Sequence, residues 1–268
     1  MKCAATVCLV ERLTSGPWIY WHDLEGACAH AASIGLDGIE LFTDSPTQVS
    51  EAALRGLLSK HGLGLAAVGT GAGKVIHGLT LTDEDKDVRA RAIAFICDMT
   101  AFGAAFGAPA IIGSMQGTVG KGRTRDEAIE LLRDGLAACG AHAAEFGVPL
   151  IYEPLNRYES DLVNTQQSAA VVLDGIDGVK TLADLFHMNI EEASVADAIT
   201  EHIAQVGHVH LADSNRRPAG DGHTDLAGAG AALKNGGFDA WVSAEAFPWP
   251  DSHSAARTTV TAFKRWFA

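Results

Sequence analysis

The chain has 268 residues, of which 47% are hydrophobic and 20% charged, a composition typical of a globular protein with a large core. Its formal net charge of −13 argues against nucleic acid or anionic lipid as a partner, because both require a basic surface. No apolar run reaches the ~18 residues of a membrane span, so no membrane partner is predicted either.

The amino terminus, residues 1–10, has a weakly basic start followed by a short apolar run. Glu11 and Arg12 follow at once, so this segment is predicted to be a first strand and not a signal peptide. The five cysteines are scattered, odd in number and without a CxxC pair. That pattern is typical of reduced thiols and predicts a cytoplasmic location.

One local pattern recurs along the chain. An alanine-rich, helix-like segment ends at a glycine, and an apolar strand follows within a few residues, as at Gly147 before residues 148–152. Glycine is the expected residue just past a helix, because it adopts positive φ without a Cβ penalty. The repeated pattern predicts a parallel sheet built from βα units.

Counting these units gives eight strands, near residues 4–9, 38–41, 65–68, 110–112, 148–152, 179–183, 206–209 and 240–244. A closed (β/α)8 TIM barrel needs about 250 residues, so we predict this α/β fold as a single domain over residues 1–268. An open, doubly wound sheet is the alternative. The absence of GxGxxG after the first strand counts against it.

Several loops after the predicted strands have informative compositions. The aromatic segment 18–22 is expected either to wall a pocket or to form a packed surface turn. The glycine-rich segment 69–74 lacks phosphate-loop spacing and is predicted to be a flexible loop. The long polar segment 113–123 suits an active-site loop. Thr124, with Glu127 three residues later, predicts a capping box at a helix start.

The fifth predicted strand ends in a carboxylate, Glu153, followed by Pro154, which cannot donate to a strand ladder. A charge at the last position of a buried strand is costly unless something pairs with it. The partner is expected to be a metal ion, a substrate, or a neighbouring Arg or Lys.

Three further strand ends carry metal-type side chains: Asp184, His210 and Glu245. In a barrel the carboxyl ends of all strands meet at one mouth, so these side chains are expected to converge with Glu153. Such a set suits Mn²⁺, Mg²⁺ or Co²⁺ and does not suit a structural zinc site.

His208 and Asp213 lie close in sequence to the predicted ligand His210. His208 shares a face with His210 but lies deeper, so it is predicted to be a core histidine. Asp213 is expected either to hold an imidazole by a hydrogen bond or to cap a turn.

Three segments, EPLNRYE at 153–159, FHMNIEE at 186–192 and HVHLADSNR at 208–216, carry a resemblance to a known family. They resemble the ketose 3-epimerases, the D-tagatose, D-psicose and L-ribulose 3-epimerases of the xylose-isomerase-like TIM barrels. The resemblance is dense from Val148 to Phe247 and general before that. It implies a (β/α)8 barrel, one divalent metal, usually Mn²⁺ or Co²⁺, and a small sugar as substrate.

The resemblance also implies roles for individual residues. The implied metal ligands are Glu153, Asp184, His210 and Glu245, and the implied acid/base pair is Glu153 and Glu245. Glu159, His187 and Arg216 are implied to contact the substrate near O1 and O2, and Glu159 is expected to fix the His187 tautomer. Inverting C3 of a ketose requires one carboxylate to remove a proton and another to return one on the opposite face.

Other functions fit parts of the pattern. An aldose–ketose isomerase, or a dehydratase acting on a keto-sugar or keto-inositol, would use nearly the same residues. An endonuclease IV-like DNA repair enzyme would need basic phosphate-reading loops and more metal ligands. A sugar-binding barrel without activity would not need two opposed carboxylates. The sugar identity stays open, with an unphosphorylated ketose favoured, and so does the oligomeric state, for which the amphipathic segment 263–267 is compatible with a homo-oligomer.

Overall fold

A computed structural model describes residues 1–268 and contains one sheet of nine parallel strands. The strands are β1 (Lys2–Cys8), β2 (Tyr20–Trp21), β3 (Gly38–Phe42), β4 (Gly64–Gly69), β5 (Ala110–Ile112), β6 (Leu150–Tyr152), β7 (Val179–Asp184), β8 (Val206–His210) and β9 (Trp241–Ala244). Strands β1 and β3 to β9 form a closed barrel, because β1 pairs with both β3 and β9. The predicted barrel is confirmed, and each predicted strand coincides with one barrel strand.

Ten α-helices accompany the barrel, and a 3-10 turn covers Ser114–Gln116. The helices are α1 (Leu24–Ile34), α2 (Glu51–His61), α3 (Ala72–Val75), α4 (Lys86–Ala104), α5 (Arg125–Glu145), α6 (Gln166–Leu173), α7 (Leu185–Glu191), α8 (Val195–His202), α9 (Leu226–Asn235) and α10 (Ser252–Trp266). The predicted capping box of Thr124 and Glu127 begins α5. No helix has both the length and the hydrophobicity that crossing a bilayer requires.

The short strand β2 lies outside the barrel ring and was not predicted. It pairs with the carboxyl end of β1, with Val7 opposite Tyr20 and Cys8 opposite Trp21. Thr6 helps to hold this segment, because the backbone N–H of Ile19 donates to its Oγ1 at 3.0 Å. The aromatic segment is thereby fixed beside the mouth of the barrel.

Strand alternation separates the two sides of the barrel wall. Ile39 and Leu41 of β3 belong to the main apolar core, which includes buried side chains of both strands and helices. Glu40, between them, therefore points into the barrel interior. A separate apolar cluster takes one residue from each of four adjacent strands: Ala67, Ile111, Ile151 and Leu182.

Candidate active site at the barrel mouth

A cavity of about 420 Å³ opens at the carboxyl ends of the strands. The strand ends and the loops that follow them supply its polar lining, which consists of Glu153, Glu159, His187, His210, Arg216, Glu245, Ser15 and Ser114. Six of the residues predicted to bind metal or substrate therefore share one cavity: Glu153, Glu159, His187, His210, Arg216 and Glu245. This location is where TIM barrels place their active sites.

The four predicted ligands converge although they are far apart in the sequence. Ligand atoms of Glu153, Asp184, His210 and Glu245 all lie within 4.8 Å of one another, and all four residues are buried. From His210 Nδ1, the nearest carboxylate oxygens are Glu153 Oε1 at 3.4 Å, Asp184 Oδ2 at 3.5 Å and Glu245 Oε2 at 3.5 Å. The geometry therefore gathers three carboxylates around one imidazole nitrogen.

Local structure orients the Asp184 carboxylate. Asp184 is the N-cap of α7, and its Oδ1 accepts hydrogen bonds from the backbone N–H groups of Phe186 and His187. This leaves Oδ2 facing the other carboxylates without a hydrogen-bond donor. Capping thus fixes one oxygen and presents the second to the centre of the site.

The residues present fit a divalent metal ion. Glu153 Oε1, Asp184 Oδ2 and His210 Nδ1 are buried polar atoms without a hydrogen-bond partner, and they face one another. Buried polar atoms normally have partners, and three of them at one point require an explanation. Carboxylate oxygens with one imidazole nitrogen are a donor set for ions of the Mn²⁺ and Mg²⁺ type.

The pKa values of the site residues are shifted by burial and by the charges of their neighbours. Burial raises the pKa of Glu153 to about 8 and also raises the pKa of Glu245. Burial acts on Asp184 in the same direction, but attraction to His187 and His210 outweighs it and lowers the pKa. For His210, burial is outweighed by Glu40 and Glu245, which hold its pKa well above 6.5. Without a metal ion, bound protons balance the carboxylates, and a cation would replace them.

Arg216 is the only cationic side chain apart from histidine that lines the cavity. Its Nη2 donates to Glu245 Oε2 at 2.7 Å and its Nη1 to Glu159 Oε1 at 3.2 Å. The guanidinium also lies over the ring of Phe186, 4.6 Å from the ring centroid. Burial lowers the pKa of Arg216, but the surrounding carboxylates outweigh it and raise the pKa further, so this side chain stays charged.

His187 is held by Asn156 and not, as predicted, by Glu159. The Asn156 backbone N–H and Nδ2 approach His187 Nδ1 at 3.3 Å and 2.7 Å, whereas Glu159 Oε1 is 3.9 Å away. The backbone N–H of Tyr158 donates to Asn156 Oδ1, so the amide nitrogen is the group that faces His187. Nδ1 of His187 is therefore an acceptor. Burial lowers the pKa of His187, so its neutral ring carries the proton on Nε2, toward the cavity.

Of the two roles expected of Asp213, the structure shows the capping of a turn and not a hydrogen bond to an imidazole. Its carboxylate accepts hydrogen bonds from the backbone N–H groups of Ser214, Gly220 and Thr224, so it organises the loop after β8. That loop carries Arg216, whose φ of 57° lies in the left-handed region that non-glycine residues adopt uncommonly. Asp213 therefore acts on the site through the position of Arg216.

The predicted core role of His208 is correct, and its partner is a residue that the sequence analysis missed. Glu40 accepts a hydrogen bond from His208 Nε2 at 2.7 Å and another from His210 Nε2 at 3.0 Å. All three side chains are buried. The available signal was an acidic residue between Ile39 and Leu41 in a strand that is otherwise apolar.

The remaining cavity wall is largely apolar. Trp18, from the predicted aromatic segment, packs against Phe42 with ring centroids 5.1 Å apart, and both line the cavity. Leu13, Val75 and Phe247 continue this wall toward the rim. The predicted loop 113–123 contributes Gly113 and Ser114. The cavity is thus polar at the strand ends and apolar at its outer side.

The fold and this strand-end cluster define the class of protein. The sequence profile of the xylose isomerase-like TIM barrel family matches residues 28–265, and the chain belongs to that family.

Within the family, the chain is similar to sugar 3-epimerases. It is 32% identical to an L-ribulose 3-epimerase from Mesorhizobium japonicum over 232 residues, which cover 84% of this chain and 76% of the relative. It is also 32% identical to a D-psicose 3-epimerase from Agrobacterium fabrum over 225 residues, 81% of this chain and 76% of the relative. The resemblance drawn from the three sequence segments is confirmed, and so, at the level of these relatives, is the prediction of an isomerase-class enzyme.

A solved structure supports the same fold. A structure of L-ribulose 3-epimerase superposes with a TM-score of 0.84 at 23% identity, over 99% of this chain and 94% of that chain. Identity at this level establishes a shared barrel architecture and leaves the reaction to be argued from the site.

Proposed function

We propose that this protein is a divalent-metal-dependent epimerase that inverts C3 of an unphosphorylated ketose. The observation that carries the proposal is the convergence of Glu153, Asp184, His210 and Glu245 at the inner end of the cavity. The similarity to L-ribulose and D-psicose 3-epimerases supports the same reaction class.

In this proposal the four converging residues hold one metal ion, with Mn²⁺ as the expected ion and Co²⁺ or Mg²⁺ as substitutes. When bound, the ion supplies Lewis-acid stabilisation of the negative charge that develops on the substrate oxygens. Glu153 Oε1, Asp184 Oδ2 and His210 Nδ1 are the atoms available for it, because none has another partner.

Glu153 and Glu245 are the proposed acid/base pair. They follow β6 and β9, which are separated in the barrel ring by β7 and β8, so they approach the cavity from different sides. A ketose lying between them would present one face of C3 to each carboxylate. One carboxylate removes the C3 proton to give an enediolate, and the other returns a proton to the opposite face.

His187 and Arg216 are proposed to stabilise the enediolate by hydrogen bonds near O1 and O2. The contacts of Asn156 place the proton of the neutral His187 ring on Nε2, which lies 3.5 Å from Arg216 Nη1 and so can donate to the same substrate oxygen as Arg216. Arg216 is oriented by Glu245 and Glu159, so its guanidinium does not need to reorganise when charge develops on the substrate. In this scheme Glu159 positions both Arg216 and Asn156.

An unphosphorylated sugar is the proposed substrate because the cavity offers no cation whose charge is not already balanced by carboxylates. Arg216 is its only lysine or arginine, and both of its terminal nitrogens already bind carboxylates. A phosphate group would need basic side chains or free backbone N–H groups. The five free cysteines support action in a reducing compartment such as the cytoplasm.

The experiment that tests the proposal follows deuterium from D₂O. The Mn²⁺-loaded protein is incubated with D-fructose, D-tagatose or L-ribulose, and products are examined by NMR. The expected result is a C3 epimer that carries deuterium at C3. An aldose product, with deuterium at its C2 or at C1 of the recovered ketose, would instead establish an aldose–ketose isomerase, and loss of water from the sugar would establish a dehydratase. Glu245→Gln is the matched variant and should no longer form the C3 epimer.

A further inference from the structure

Glu40 lies below the proposed metal ligands and does not line the cavity. Glu40 is fully buried in β3, and no lysine or arginine pairs with it. Its two oxygens are each used once: Oε2 binds His208 Nε2 at 2.7 Å and Oε1 binds His210 Nε2 at 3.0 Å. A buried carboxylate is thus held by two imidazoles and nothing else.

These contacts determine where the histidine protons lie. An ionised carboxylate only accepts hydrogen bonds, so both histidines must carry a proton on Nε2. In its neutral form, His210 then has its lone pair on Nδ1. That atom faces oxygens of Glu153, Asp184 and Glu245 at 3.4 to 3.5 Å.

We propose that Glu40 is a positioning residue for the metal site. It holds His210 in the Nε2–H tautomer and in the ring orientation that presents Nδ1 to the cation, and its charge increases the affinity of the site for the ion. The inference rests on the proposed metal site. Carboxylates that bind the second nitrogen of a metal-ligating histidine have this effect in other metal centres.

The same residues do not form a second metal site. Ligand atoms of Glu40, His208 and His210 do lie within 4.8 Å of one another. However, both Glu40 oxygens are already at hydrogen-bond distance from Nε2 atoms that carry protons. A cation there would have to displace both protons, and His210 would then have to bridge two ions. The distances describe a hydrogen-bonded triad.

His208 can change its tautomer without losing another hydrogen bond, which allows the charge of Glu40 and the His210 tautomer to be tested separately. Its Nδ1 is buried and has no hydrogen-bond partner, so moving its proton from Nε2 to Nδ1 breaks no other contact. In Glu40→Gln the amide NH₂ can therefore face His208 while the amide oxygen accepts from His210. This variant removes the charge but preserves the His210 tautomer. Glu40→Leu removes both.

The experiment compares the wild-type protein with Glu40→Gln, Glu40→Leu and the control Glu130→Gln, an exposed residue of α5. Mn²⁺ affinity is measured by electron paramagnetic resonance of the free ion. Histidine tautomers are read from ¹⁵N NMR of the Mg²⁺-loaded protein, and the fold from metal-free thermal unfolding. We expect Mn²⁺ binding about 10- to 100-fold weaker in Glu40→Gln, weaker still in Glu40→Leu, and unchanged in the control.

The tautomers distinguish positioning from a purely structural role. We expect His210 to carry its proton on Nε2 in the wild-type protein and in Glu40→Gln, and to lose this preference in Glu40→Leu. Wild-type Mn²⁺ affinity in a folded Glu40→Gln, or a proton on His210 Nδ1 in the Mg²⁺-loaded wild-type protein, would overturn the inference. The His210 tautomer of the wild-type protein tests the inference even if a variant fails to fold. Failure of the wild-type protein to bind Mn²⁺ would reject the proposed metal site itself.

Discussion

Replacing Glu153 by glutamine should remove activity and at the same time stabilise the metal-free protein. Burial raises the pKa of Glu153 from its ordinary 4.5 to about 8. A group whose pKa is raised on folding stabilises the protein below its unfolded pKa, and this contribution is lost as the pH rises through the folded pKa. Between pH 4.5 and 8 the contribution of Glu153 to the free energy of unfolding of the metal-free protein therefore falls by about 1.4 kcal/mol per pH unit.

At pH 7 this loss amounts to about 3 kcal/mol, which an uncharged glutamine avoids. For a chain of this size the metal-free Tm should rise by about 5 °C in Glu153→Gln. The difference from wild type should vanish below pH 4.5 and level off above pH 8. Activity should fall by about 10²- to 10⁴-fold or more, because an acid/base group and a metal ligand are both lost.

The assay is thermal unfolding followed by circular dichroism, in EDTA and then in excess Mn²⁺. The wild-type Tm should rise on addition of Mn²⁺ by more than that of Glu153→Gln, because only the folded wild-type protein keeps the full ligand set. The exposed Glu130→Gln should behave as wild type in both conditions. A metal-free Glu153→Gln that is less stable than wild type at pH 7 would refute the reasoning.

Three further predictions concern the metal and His187. Treatment with EDTA should abolish activity and Mn²⁺ or Co²⁺ should restore it; full activity in EDTA, with no residual metal by mass spectrometry, would contradict the metal requirement. Calorimetric titration should show that Mn²⁺ affinity increases as the pH rises toward 8, by about tenfold per pH unit for each proton displaced. The reason is that Glu153 must lose its proton before it can bind the ion. A Mn²⁺ affinity that does not change with pH over that range would contradict this. Asn156→Leu removes the side-chain donor that orients His187, so steady-state kinetics should show a lower kcat, by about 10- to 100-fold, with Mn²⁺ affinity retained. An unchanged kcat would show that the Asn156 side chain does not act through His187.

The barrel and its four converging residues were predictable because both follow from the apolar strand segments that recur along the sequence. Most strands are short apolar runs that follow a glycine, and barrel closure brings strand ends together whatever their separation in sequence. Glu153, Asp184, His210 and Glu245 all lie at strand ends, so the strand pattern alone indicated their convergence.

The supporting residues could not be predicted in the same way. Glu40 contacts histidines 168 and 170 residues away, and no local pattern encodes that pairing. Glu159 was the predicted partner of His187, but the path of the backbone after β6 brings Asn156, three residues earlier, to the ring instead. The two roles expected of Asp213 could not be separated, because a carboxylate that binds loop N–H groups looks, in sequence, like one that binds an imidazole.

A crystal of the Mn²⁺-loaded protein soaked with a ketose, measured with X-rays at the manganese absorption edge, tests most directly whether these residues form one metal site. The predicted result is a single anomalous peak in contact with Glu153, Asp184, His210 and Glu245, with the sugar bound to the same ion and a carboxylate on each face of C3. A peak elsewhere, or no peak in protein that remains active, would contradict it.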